Sequence, residues 1–421
     1  MTPSYDGIII GAGPAGSTAA ILLARAGWSV ALLEAKAFPR RKVCGECIAA
    51  SNLPLLDALG VGADIRRRAG PELRRVALWR GGERITARLP AHTDRHPWGY
   101  ALGREYLDAL LIECARSSGA TVLQPVKALA IRGRPGDALR EVELAHEGGL
   151  RSTLCAPVIV RAHGSWQPPP AAAGRAPRQP HRPADLLAFK ANFLHARLEE
   201  GLLPVLAFPG GYGGMVMSGD GLATLACCLR RDRLTACRRL DPAAAAGEIV
   251  EALLLRECRG VREALASASR AGPWLAAGPI RPGVRLSGLD RDGFRVGNAA
   301  GEVHPIIGEG ISMALQSAGL LCEELTRCAH ARGGDMAAER HRVRIQQRYA
   351  SSWVAHFSRR MRLAACLARA AMRPALSAPL LPLLRRAPGL LSLAARASGK
   401  TRCAVGASSE ADPGLLHGVS S

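Results

Sequence analysis

The 421-residue sequence predicts an α/β fold, and three adjoining stretches at its start carry that prediction. Residues 5–10 are short and isoleucine-rich and read as a buried parallel strand. The loop Gly11-Ala12-Gly13-Pro14-Ala15-Gly16 follows directly. Residues 17–26 are rich in alanine and leucine, hold no glycine or proline, and read as a helix. Gly27 ends that helix, and residues 29–33 form a second apolar strand that finishes at Glu34.

Each part of this strand–turn–helix–strand unit has a physical task. Gly11 permits a tight turn, Gly13 lets a pyrophosphate reach the backbone, and Gly16 lets the helix lie close on the sheet. The helix start, at Pro14 and Ala15, offers unpaired N–H groups to phosphate. Glu34, with Ala35 beside it, stands at the interval where an adenosine ribose is bound. A carboxylate there repels a 2′-phosphate, so the nucleotide is FAD or NAD rather than NADP. The loop alone does not separate those two.

Composition excludes several classes. The formal net charge is +21, which suits anionic partners. The arginines are scattered, however, and only five lysines occur. No basic tract with interleaved aromatics appears, so direct nucleic-acid recognition is not expected. Twelve cysteines spread through the chain suggest reduced thiols rather than a disulfide framework. Cys44 and Cys47 have no second pair at zinc-ribbon spacing, and no metal is expected. No uncharged apolar run is long enough to span a bilayer. A cytoplasmic protein, with the membrane surface as an alternative location, is the expectation.

Two further motifs share the chain with the first loop. One is Phe38-Pro39-Arg40-Arg41-Lys42-Val43-Cys44-Gly45-Glu46, and the other runs from Gly297-Asn298-Ala299-Ala300-Gly301 through His304-Pro305-Ile306-Ile307-Gly308-Glu309-Gly310. In this order they resemble the flavoprotein family of aromatic hydroxylases, geranylgeranyl reductases and flavin-dependent halogenases, over roughly residues 4–330. The resemblance implies FAD as cofactor. It also implies a Rossmann-like FAD-binding domain, an inserted mixed or antiparallel sheet domain for substrate, and a helical C-terminal region. The expected boundaries are 1–167 and 276–330 for the two parts of the FAD-binding domain, and 185–275 for the substrate sheet. A helical cap at 331–399 and a tail at 400–421 complete the chain. Residues 168–183, rich in proline, alanine and arginine, read as an exposed linker.

By the same resemblance, Arg104 at the start of a helix within 101–120 lies beside the cofactor, and Gly297, Asn298, Gly308, Gly310 and Ile311 meet the ribityl chain and the flavin ring. Relatives carry aspartate where this chain has Asn298, and an Asp-Gly pair where it has His163-Gly164. Arg40 and Lys42 can neutralise phosphate or an anionic substrate. Cys44 is expected near the reacting carbon or the flavin. His304 and Pro305 are candidates for the chemistry, since histidine titrates near neutrality. Phe189, Lys190, Phe193 and Tyr212 are candidate pocket residues, the last within a turn-dense segment at 208–214. Beyond residue 350, arginines interleave with leucines and alanines, which suits either a cap over the substrate cavity or a basic surface resting on an anionic membrane.

The first functional expectation is a monooxygenase that hydroxylates an aromatic or polyketide-like compound through a flavin hydroperoxide. The alternative is a geranylgeranyl reductase-like enzyme that saturates prenyl double bonds. The third is a halogenase, weakened because the Trp-x-Trp-x-Ile-Pro pattern is missing. Either of the first two needs a small hydrophobic or aromatic substrate. Each also needs an external electron donor, NAD(P)H or a reductase, because no second complete GxGxxG unit is present.

Overall fold

The computed structural model describes residues 3–133, 137–165, 180–286, 292–330 and 339–400. The expected linker falls mostly outside them, as does the tail from 401.

Strands β1 (Gly7–Ile10) and β2 (Val30–Leu33) pair in parallel, with α1 (Pro14–Arg25) between them in sequence. Both strands are buried throughout, which is why neither alternates in sequence. Next come the hairpin β3 (Arg75–Arg80) and β4 (Glu83–Arg88), then α2 (Arg104–Ser117), β5 (Thr121–Leu123) and β6 (Val158–Arg161). The middle of the chain gives β7 (Leu186–Leu194), β8 (Leu202–Phe208), β9 (Gly211–Met217) and β10 (Ala223–Arg230). Helices α3 (Arg231–Arg238), α4 (Ala246–Glu257) and α5 (Arg259–Ala264) precede β11 (Leu275–Ile280) and β12 (Phe294–Arg295). The chain then turns helical: α6 (Gly310–His330), α7 (Glu339–Met372), α8 (Pro374–Ser377), α9 (Leu380–Arg386) and α10 (Gly389–Ala395).

One sheet is parallel, in the order β12-β6-β1-β2-β5. Helix α1 packs against it between α2 and α6, and one apolar core joins Ile9, Leu23, Leu107, Leu111, Leu315 and Trp353. The other main sheet runs β7-β10-β9-β8-β3-β4, with β11 also pairing β7. All its pairings are antiparallel except β8 with β3. One face of this sheet is covered by α3, α4 and α5. The opposite face meets α7 through Ala368 and Ala371.

Two departures from the sequence reading stand out. Residues 75–88 belong to the second sheet, although they precede most of the first. Their register with β8 comes from a distant strand, so no local signal marks it. The turn-dense segment around Tyr212, which could be a turn or a tight sheet bend, is mostly strand: the bend is confined to Pro209-Gly210, and β9 begins at Gly211. Glycine is required there by crowding. A Cβ at Gly213 would lie 2.6 Å from the carbonyl oxygen of Ala226.

Candidate cofactor and active site

The first loop is shaped by what its glycines exclude. Gly11 has φ +106°, and a Cβ on it would sit 2.6 Å from the Ala162 carbonyl oxygen at the end of β6. A Cβ at Gly16 would lie 1.8 Å from the Gly11 carbonyl oxygen, so loop and helix touch backbone to backbone. Gly13 differs: its missing Cβ faces space, and the nearest atoms are Lys42 Nζ at 3.8 Å and Arg104 Nη2 at 3.9 Å. Helix α1 starts at Pro14 with no side-chain cap, so its first free N–H groups turn to the same space.

The two cations share one carboxylate. Arg104 binds Asp108 through two hydrogen bonds of 2.8 Å, one turn along α2. Lys42 Nζ stands 3.4 Å from the same Asp108, which is buried. Burial pulls the Lys42 pKa down, Asp108 opposes this, and Arg104 and Arg40 add to it. Burial also works against charge on Arg104, but Asp108 and Cys44 together outweigh it and hold that pKa up. A surplus of positive charge, a helix start and an open Gly13 fit a pyrophosphate. Lys42→Met is expected to weaken FAD binding roughly tenfold, one lost charge-assisted contact of ~1.5 kcal/mol. Fluorescence titration of the apoprotein with FAD checks this.

Glu34 is buried at the end of β2 and accepts from the Ala12 N–H at 3.0 Å, the Lys36 N–H at 3.1 Å and Arg40 Nη2 at 3.1 Å. The carboxylate thus fixes the loop it faces. A carboxylate has about four lone-pair sites, which leaves acceptor capacity for a ribose hydroxyl. Ala35 is outside the cavity lining, whereas Glu34 and Lys36 are part of it.

Glu46, the last residue of the 38–46 motif, ties the second sheet to the start of α2. It is fully buried at φ +60°. Its carboxylate pairs with the fully buried Lys190 of β7, accepts from Thr224 Oγ1 of β10 at 2.5 Å, and accepts from the Arg104 N–H at 3.1 Å. Lys190 is therefore corrected from pocket residue to buried counter-ion; alternation along β7 aims it at this loop and away from the α3–α5 core. Phe193 is corrected too. It lies on the other face of β7, packed edge-on against Trp274 at 6.4 Å in the core below the sheet, and does not line the cavity. Phe189 shares that core but does border the cavity. Cys44 borders the cavity as well, and its sulfur accepts from the Glu46 N–H at 3.3 Å and contacts Arg104. Cys47 Sγ instead donates to the Gly45 carbonyl.

The downstream motif closes over the first. Gly297 has φ +59° and donates its N–H to Ser317 Oγ at 2.8 Å, and a Cβ on it would lie 3.0 Å from that of Ala15. Asn298 Nδ2 donates to Ser165 Oγ at 2.9 Å, and Ser165 in turn donates to the buried Glu302. The carboxylate missing at 298 thus stands one hydrogen bond further off. Gly308 takes a left-handed φ of +63°, which lets α6 start at Gly310 and Ile311 facing the cavity. Buried Arg360 of α7 lies 3.8 Å from buried Glu309 and ties the long helix to this turn.

His304 does not itself border the cavity; it reaches it through Tyr212, whose hydroxyl is 3.1 Å from His304 Nδ1. Pro305 does border it. Burial, with help from Arg369, lowers the His304 pKa to about 4. Burial, with help from Arg161, does the same to His163, also to about 4. Both are neutral at pH 7. Between pH 6.5 and 4 the unfolded chain takes up protons at these sites and the folded chain does not. Stability is expected to fall as pH drops through that window. Urea midpoints at pH 7 and pH 5 test this, and His304→Asn is expected to flatten the decline.

These parts surround one continuous cavity of about 950 Å³. At one end are Gly11, Gly13, Pro14, Ala15, Glu34, Arg40 and Lys42; beside them stand Arg104, Gly297 and Asn298. Gly16 acts from beneath, as a packing glycine. The far end is lined by Leu380, Leu383, Leu384, Leu390 and Leu391 of α9 and α10. Those leucines carried a signal in sequence as an apolar cluster, but nothing local linked them to the glycine loop.

An FAD binding domain model matches residues 4–234. A tryptophan 2-halogenase of Chondromyces crocatus is 35% identical over 28% of this chain and 22% of its own length, so the chain matches about a fifth of that relative. A menaquinone reductase of Mycolicibacterium smegmatis is 28% identical over 77% of both chains. A digeranylgeranylglycerophospholipid reductase of Methanopyrus kandleri is 28% identical over 74% of this chain and 77% of that protein. In structure, a myxobacterial chondrochloren halogenase superposes with a TM-score of 0.69 at 23% identity, over 82% of this chain and 79% of the other, and so shares the fold. With more than half of its length under that one model, the chain belongs to the FAD binding domain family.

Proposed function

We propose that this protein is an FAD-dependent reductase that saturates a double bond in a prenyl chain. The carrying observation is the single cavity that runs from the cation-lined cradle to five leucines of α9 and α10. A long, flexible hydrocarbon fits such a space better than a compact ring does, because the apolar lining continues well beyond the cofactor end. The two relatives that match about three quarters of the chain are both named as reductases.

Bound and reduced, FAD would supply the hydride; saturating an alkene needs a proton as well. Tyr212 is suited to give it. Burial raises its pKa well above 10, so the phenol stays protonated, and neutral His304 at 3.1 Å would relay a replacement proton from solvent, giving one from Nδ1 as it takes one at Nε2. Cys44, held by Arg104 and the Glu46 N–H, would pack beside the reacting carbons. The buried Glu46–Lys190 pair would hold this loop against the substrate sheet. An outside donor must then reduce the cofactor again.

The test is anaerobic. The dithionite-reduced holoenzyme is mixed with a geranylgeranyl lipid that carries no quinone, and the product is read by mass. A gain of two hydrogens without oxygen is the expected result. Oxygen consumption matched to a gain of one oxygen atom, with no anaerobic product, would establish the hydroxylation reading instead. Tyr212→Phe is expected to lower kcat about 100-fold, within the usual range for a lost general acid, with the FAD absorbance unchanged.

A further inference from the structure

We infer that α8, α9 and α10 form a docking surface for an anionic phospholipid bilayer, and that the cavity opens through it. The observation is a coincidence of three properties in one stretch. First, charge: residues 340–400 contain no Asp or Glu, while 359–396 hold eight arginines. Of these, Arg359, Arg362, Arg369, Arg373, Arg385, Arg386 and Arg396 are exposed. Second, exposed apolar surface: Leu376, Leu380, Leu383, Leu390 and Leu393 lie in the open, Leu383 at 52% and Leu393 at 62% exposure. Third, continuity: Leu380, Leu383 and Leu390 also line the cavity, so the exposed apolar patch and the cavity wall are the same residues.

Water-exposed leucines are costly in a cluster, and clustered patches mark interaction sites. Arg385 pairs with Glu83; the other exposed arginines, in a stretch with no acidic residue of its own, select an anionic partner, and interleaved leucines select one with an apolar interior. A bilayer of acidic lipids has both, with its headgroups over hydrocarbon. Nucleic acid offers the charge but not the hydrocarbon. No helix among the described residues is long and apolar enough to cross a membrane, so the contact is with one leaflet. The surface is anchored to the protein body rather than loose. Arg385 pairs with Glu83 of β4, and Ser392 Oγ of α10 donates to the Arg88 carbonyl at 2.6 Å. A prenyl lipid could then pass from leaflet to cavity without crossing water, a role that rests on the reductase reading; the docking itself does not.

Vesicle co-sedimentation of the full-length holoprotein tests the docking. Vesicles of phosphatidylcholine with phosphatidylglycerol are compared with phosphatidylcholine alone. Binding at least about tenfold tighter to the anionic vesicles is expected. Leu376→Glu with Leu393→Glu, and separately Arg373→Glu with Arg386→Glu, change residues outside the cavity lining. Each pair is expected to weaken binding about tenfold while the FAD absorbance and melting temperature hold. No binding to anionic vesicles, or binding that the variants leave intact, overturns the inference. So does light scattering that shows the patch consumed by a second copy, as a dimer that the leucine variants dissociate. Because these readouts need no turnover, failure of the reductase reading leaves them interpretable. For the portal, the leucine variants are expected to lose turnover of a vesicle-borne lipid and keep turnover of a detergent-dispersed short-chain substrate. Equal turnover of both overturns it.

Discussion

Glu46→Leu is expected to destabilise the protein by about 3–5 kcal/mol, because it strands Lys190 in a fully buried site. Lys190 has no exposure, and the Glu46 carboxylate is its ion-pair partner. The same substitution takes away the acceptor for Thr224 and for the first N–H of α2. A chemical denaturation midpoint measures the loss. Glu46→Leu with Lys190→Met removes both charges and is expected to recover a good part of it, since a buried pair can often be replaced by apolar groups at little cost. If the double variant is as unstable as the single, the stranded lysine is not the cause. The joint also bears on the cofactor. Arg104 starts at this carboxylate and ends at the pyrophosphate cradle, so FAD retention should fall together with stability in the single variant.

Gly16→Ala is the second large effect. The added Cβ would sit 1.8 Å from the Gly11 carbonyl oxygen, and its next neighbours are also backbone or a short side chain. No flexible side chain can move aside to relieve it. Loop and helix must separate, at a cost of about 3 kcal/mol, which is roughly a 100-fold loss in FAD affinity. Gly13→Ala makes the control. Its Cβ would meet nothing closer than 3.8 Å in the protein, so the apoprotein should fold normally. It should still bind FAD more weakly, because that methyl occupies the space left for phosphate. Melting curves of both apoproteins, followed by FAD titration, separate a folding defect from a lost cradle. Gly13→Ala unfolding like Gly16→Ala would contradict the assignment of separate tasks to these glycines.

The features legible in the sequence are those made by neighbours in the chain. The β1–α1–β2 unit is one: strand, glycine loop, helix and Glu34 sit within 30 residues, and their roles follow from local geometry. The glycine motif at 297–310 was legible for the same reason, whereas the left-handed φ at Gly308 came only with the structure. Membership of the FAD binding domain family followed from those motifs and their order.

Tertiary structure decided what depends on which face a residue takes and which distant strand it meets. Lys190 and Phe193 looked alike as pocket candidates, but alternation along β7 sends them to opposite sides, one to Glu46 and one to Trp274. Glu46 ends the 38–46 motif, but its role as a joint is not legible there, because that role comes from β7, β10 and α2 converging on a single carboxylate. The parallel pairing of β3 with β8 is equally invisible, since a hydrogen-bond ladder between remote strands leaves no periodic trace in either. The C-terminal leucines and arginines could be read in sequence as a cap or as a membrane surface. Folding places some of those leucines in the cavity wall and in solvent at once, because short helices bounded by Pro379 and Pro388 cannot bury every side around them.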